Sequence, residues 1–167
     1  MDLLIGEYQM QLEHVARHLR RREREWGLEY SLGAPAPESA IQQAQRRLGV
    51  ALPTQVERFY RYYDGLSAAD PPLEVFPLER LAFVHRDRLR FAVVDGRHDL
   101  CFDVSGVNEA GQWDIVVAAT GYRVTMTMAS FWSNKLWAWI DQRRAIWMPE
   151  PGDWDYVPPA PYPRLSG

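Results

Sequence analysis

The chain has one cysteine, one lysine and no long apolar run, and each scarcity excludes something. A lone Cys101 cannot build an internal disulfide framework and suits a reducing, cytoplasmic setting. No stretch approaches the roughly 18 apolar residues that a membrane-spanning helix needs, so no membrane partner is expected. Met1 is followed by Asp2 and an amphipathic segment, not by a basic region and an apolar core, so no signal peptide is expected either. There is no glycine-rich phosphate loop and no internal repeat. Lys135 is the only lysine, so the basic groups are almost all arginine, whose planar fork pairs carboxylates well. Biased codon usage gives the same composition without any selection for recognition. The formal net charge of −3 argues against nonspecific nucleic-acid binding.

The rest is ordinary globular composition, with 47% hydrophobic and 25% charged residues in 167. That length fits one domain able to bury a full core. Residues 2–25 carry Ile5, Tyr8, Leu12, Val15 and Leu19 at three- and four-residue steps, which predicts a long helix with one buried stripe. Its second half holds Arg17, Arg20, Arg21, Arg22 and Arg24, interrupted by Glu23 and Glu25. A solvated face explains this cluster more simply than a binding patch, since Glu13 lies one turn from Arg17 and cations suit a helix C-terminus.

The densest signal runs from Ile41 to Leu81. Ile41, Ala44 and Leu48 share a helical face, and Gly49 stands where a helix ends in a left-handed residue. Pro53 suits the first turn of a second helix, whose stripe is Val56, Phe59, Tyr60 and Tyr63, and Asp64-Gly65 ends it. Pro71-Pro72 leads to a short strand near Val75-Phe76, then to Phe76-Pro77-Leu78-Glu79. A Leu-Gly-Val-x-Leu-Pro joint between short helices, followed by a Phe-Pro-Leu-Glu turn, resembles the SUKH superfamily. That superfamily includes fungal cell-wall-assembly regulators and bacterial toxin-immunity proteins. The resemblance covers about residues 38–145. It implies an α+β fold, no catalysis and no cofactor. The function it implies is an immunity-type protein that neutralises a cognate toxin, many such toxins being nucleases. The alternative is a regulatory or scaffold interaction module.

The centre of the chain reads as β. Phe91–Val94, Asp95-Gly96 and Leu100–Val104 predict a tight hairpin. A looser loop over 105–112 leads to a strand beginning at Trp113. Thr120-Gly121 turns into residues 122–128, where Val124, Met126 and Met128 alternate with Arg123, Thr125 and Thr127. Ser130 is the expected N-cap of a last helix with Trp132, Leu136, Trp139 and Ile140 on its buried stripe. Asn134 and Lys135 stand where the family is usually apolar, which suggests a shifted register. The expectation is one α+β domain over 1–147, with an antiparallel sheet at 91–128 covered by helices on one side. Leu48, Leu52, Phe59, Phe76, Phe102, Val124 and Leu136 are the expected core. Residues 148–167 form a proline-rich tail. Trp154 and Tyr156 favour packing back on the domain over a free proline-rich ligand.

Catalytic patterns are absent. His14 and His18 are four apart but lack the glutamate of a zinc-protease motif, so no metal site is expected. Ser105 has no nucleophile elbow, Cys101 has no base beside it, and Val107 and Asn108 break any calcium-loop pattern. One feature remains. Asp95, Asp99, Asp103, Glu109 and Asp114 face Arg97 alone, a net of about −4 in twenty residues. Turn formation accounts for such carboxylates. The sharper reading is a docking surface for a basic protein partner, made of Asp95, Asp99, Asp103 and Asp114. Trp113 would be its anchor, although Trp113 also begins an alternating strand with Ile115 and Val117, as a core residue would.

Overall fold

The computed structural model describes residues 2–149, with 2–11 as backbone alone. Asp2–Trp26 is one helix, α1. It buries Leu12, Val15 and Leu19, as their spacing requires; the side chains of Ile5 and Tyr8 lie outside the described residues. Arg17, Arg20, Arg21 and Arg24 face solvent. Strand β1 (Tyr30–Leu32) follows, then helix α2 (Glu38–Leu48). Gly49 ends α2 at φ 70° and donates its N–H to the Gln45 carbonyl at 2.8 Å. A Cβ there would touch nothing within 4 Å, so the glycine serves the left-handed backbone and not a tight fit. Leu48 is half-buried and not part of the sealed core as expected, because it sits in the last turn beside this exposed cap. Pro53 is the N-cap of α3 (Thr54–Tyr62), one residue earlier than its expected place. Val56, Phe59 and Tyr60 of α3 are buried, and the Tyr63 hydroxyl donates to the Leu12 carbonyl of α1 at 2.7 Å.

The remaining strands are β2 (Leu66–Ala68), β3 (Leu73–Val75), β4 (Ala82–His85), β5 (Arg88–Val94), β6 (His98–Asp103), β7 (Asp114–Val117) and β8 (Arg123–Thr125). Among the described residues they form one sheet of eight strands, ordered β1-β2-β3-β5-β6-β7-β8, with β4 also paired to β5. Every pairing is antiparallel, and the fold is α+β. The sheet is wider than 91–128, since β1 to β4 precede that range. At the β5–β6 turn Asp95 and Gly96 take φ of 57° and 69°, the positive pair that a tight hairpin favours. One face carries Leu73, Val75, Ala92, Val94, Leu100, Phe102, Ile115, Val117 and Val124, all buried. On it the Phe91 ring stacks on Phe102 at 4.0 Å and meets Phe131 edge-on at 5.7 Å.

The last helix, α4, comprises Met128–Ser130, a π turn over Phe131–Lys135, and Leu136–Gln142. Its cap is Thr127, not Ser130: the Thr127 hydroxyl accepts the Ser130 N–H at 3.0 Å. The π turn closes from Leu136 N–H to the Phe131 carbonyl. It keeps Phe131, Trp132 and Leu136 inside while Asn134 stays exposed, which is how the register shifts around the two polar residues. Trp132 stacks on Phe59 at 5.8 Å. Leu52, Phe59, Phe76, Phe102, Val124 and Leu136 are buried as expected. After α4, Trp147 stacks on His98 at 4.2 Å and meets Trp139 edge-on at 5.3 Å. Trp154 and Tyr156 lie outside the described residues.

A clasp joins α1 to α4. Arg22 forks onto both carboxylate oxygens of Asp141, and its guanidinium lies 4.7 Å from the Trp137 ring and 5.5 Å from Trp26. His18 packs on Trp137 at 5.3 Å. Burial, then the charges of Arg22, His14 and Arg21, lower the His18 pKa against a smaller opposing pull from Asp141. The unfolded chain therefore takes up this proton first as pH falls below about 6.5, so His18 costs stability on acidification and nothing above pH 7. The wild-type melting temperature should drop between pH 7.5 and 5.5 by more than that of His18→Gln. Parallel curves for the two proteins would contradict this placement of His18.

Candidate functional site

The strand registers arrange the other face of the sheet in rows. Ser31, Ser67, Glu74, Val93 and Asp99 stand side by side across β1, β2, β3, β5 and β6. Arg90, Cys101, Val116 and Arg123 form the next row, and Arg88, Asp103 and Asp114 the third. Most of the outer members are half-exposed, while Cys101, Asp103, Asp114 and Val116 are buried. Burial pushes the Cys101 thiol up to about 12, so it stays protonated at neutral pH.

The five residues expected to dock a partner are not one surface. Asp103 and Asp114 are cross-strand neighbours sealed from solvent. Asp103 accepts the Ser105 N–H at 3.0 Å and its hydroxyl at 2.6 Å, while Asp114 accepts an Asn108 amide N–H at 2.8 Å. Asn108 also donates to the Met126 carbonyl at 2.7 Å and receives the Ala110 N–H at 2.9 Å, which folds loop 105–112 against these two carboxylates. Trp113 is 5% exposed and packs on Phe102 at 5.5 Å, so its alternation with Ile115 marks core. Asp95 and Asp99 remain accessible. Asp95 pairs with Arg97 at 3.1 Å and Asp99 with Arg90 at 2.9 Å.

The accessible feature of this face is a ladder of charges laid over one buried ring. Arg80 pairs with Glu74 and lies 4.3 Å over the Phe76 ring. Arg90 lies 4.8 Å from the same ring and pairs with Asp99. A buried phenyl thus carries two guanidiniums, each tied to its own carboxylate. Arg88 reaches across to the Ala118 carbonyl. Beside the ladder, Ser31, Asp64, Ser67, Glu74 and Arg80 line a concavity of about 230 Å³. Counting charge within 95–114 missed Arg88 and Arg90, which balance the acids from the neighbouring strand. The signal for them is their own two-residue spacing, which puts both on the face that Asp99 and Asp103 share.

Among the described residues no three His, Cys, Asp or Glu side chains converge on a possible metal position, and no helix is long and apolar enough to cross a membrane. No family model matches the chain, and no curated protein sequence does. What this face leaves accessible is a set of paired, partly exposed charges. Asp99→Lys should cost no more than about 1–2 kcal/mol, the half-exposed pair with Arg90 giving way to a solvent-screened like-charge contact. Asp114→Lys should cost at least about 3 kcal/mol, because a lysine cannot accept the Asn108 N–H and its ammonium would be desolvated in a sealed site. Equal losses in urea unfolding would show that the two carboxylates are not placed as described.

Proposed function

We propose that this protein is a non-catalytic, immunity-type binder that neutralises a cognate toxin by occupying its surface, in the cytoplasm of the cell that makes the toxin. The observation behind this reading is the behaviour of the residues that carry the SUKH resemblance. Gly49 and Pro53 turn α2 into α3, and α3 holds the Phe76-Pro77-Leu78-Glu79 turn through Tyr60. These residues serve one joint, so the sequence likeness rests on interdependent positions and not on scattered identities. The joint seats the buried Phe76 ring beneath Arg80 and Arg90 at the open sheet face, where paired charges can exchange partners with an incoming protein. Such pairs steer and align association more than they add affinity. Asp95 and Asp99 are the acidic groups that a basic toxin surface, such as a nuclease substrate site, would reach first.

The direct test is co-purification with the product of the neighbouring gene, followed by a toxicity or nuclease assay. The expected outcome is a stoichiometric complex in which that product is inactive, with Asp99→Lys slowing association and reducing its salt dependence. A complex whose partner stays active would replace neutralisation with the scaffold reading. Absence of any complex with that product would refute the proposal.

A further inference from the structure

At the far end of the clasp, Trp26, Leu28, Glu29, Asp70, Ile140 and Arg143 line a cavity of about 350 Å³. Leu28 and Ile140 are buried and make an apolar floor, whereas Trp26 is 59% exposed, the largest exposed ring among the described residues. The core does not need Trp26; its neighbour is the Arg22 guanidinium. On the rim, Arg143 pairs with Asp70 at 2.9 Å. Arg143 ends α4 in the left-handed region at φ 55°, where glycine fits without strain. Its guanidinium balances the charge of the neighbouring, exposed Asp70. Glu29 has no ion-pair partner among the described residues, and its carbonyl accepts the Ala69 N–H at 3.1 Å, which anchors its backbone at the rim. With Asp70 matched by Arg143, Glu29 leaves the lining with one uncompensated negative charge.

Apolar floor, aromatic wall and rim carboxylate are the three requirements of a long cationic side chain: methylenes for the floor, a cation for the ring, and a donor for the carboxylate. An anionic group would meet Glu29 without compensation. We infer that this cavity is a socket for one arginine or lysine side chain of a protein partner. Its use as a docking anchor rests on the toxin-binding reading, but its cation preference does not.

The test uses the isolated chain. N-acetyl-arginine amide is titrated against ¹⁵N-labelled protein, with N-acetyl-citrulline amide as the neutral isostere, while the Trp26 indole N–H is followed. The arginine probe should shift that resonance saturably, and citrulline should not. Glu29→Gln should weaken the arginine response roughly two- to fivefold, the range of one exposed ion pair. No shift with arginine, or the same shift with citrulline, would overturn the socket. Either result is independent of whether the protein inhibits a toxin, so failure of the socket and failure of neutralisation are separable.

Discussion

The structure depends on one buried hydrogen bond, from the Tyr60 hydroxyl to the Phe76 carbonyl at 2.7 Å. Tyr60 is fully buried, and that burial raises its phenol well above the usual range, so it remains a donor at any physiological pH. The turn it holds satisfies only part of its own backbone, through Phe76 N–H to the Phe91 carbonyl and Arg80 N–H to the Pro77 carbonyl. Side chains supply the rest: Asp64 accepts the Leu78 N–H at 2.8 Å, and Arg47 donates to the Leu78 and Leu81 carbonyls at 2.9 and 3.0 Å. Helix α2, helix α3 and the segment after α3 therefore converge on six residues of chain. Buried backbone polar groups must find partners, and here each partner comes from a different element.

This convergence sets the geometry on both sides. Gly65, just after α3, has φ 99°, and a Cβ there would stand 2.9 Å from the Val75 carbonyl. Gly33 donates to the Gly65 carbonyl at 2.9 Å, which starts the β1–β2 pairing. On the other side, holding Phe76 in place gives Arg80 and Arg90 a common ring and seats their carboxylate partners in one row. The open face, the surface through which we propose the protein works, is thus a consequence of the joint beneath it.

How much of this was legible follows from the range of each interaction. The helices at 38–62 could be read from local chemistry, because Gly49 and Pro53 act within a turn of themselves. The β5–β6 hairpin was equally legible, because Asp95 and Gly96 determine it locally. Strands β1, β2 and β3 were harder to read: three residues give too little alternation to distinguish a strand from a loop, and the sheet neighbours decide their state. The π turn was visible only as an anomaly, two polar residues on an apolar stripe. The acidic segment was misleading for a physical reason. Linear charge counting cannot see a partner on the next strand, so it scored Asp99 as free and Asp103 and Asp114 as exposed. The cavity beside Trp26 joins residues more than a hundred positions apart and left no local trace.

The joint is tested most directly by a double-mutant cycle between Tyr60→Phe and Arg47→Met in urea unfolding. Tyr60→Phe leaves the Phe76 carbonyl without its hydroxyl donor, Arg47→Met removes the side-chain donor of the Leu78 and Leu81 carbonyls, and each should cost about 1–3 kcal/mol. Because both act on the same six residues, their effects should be coupled, with the double variant departing from the sum of the single losses by about 1 kcal/mol or more. Additive losses, or a Tyr60→Phe cost within about 0.3 kcal/mol of zero, would contradict the claim that this turn is held as one unit.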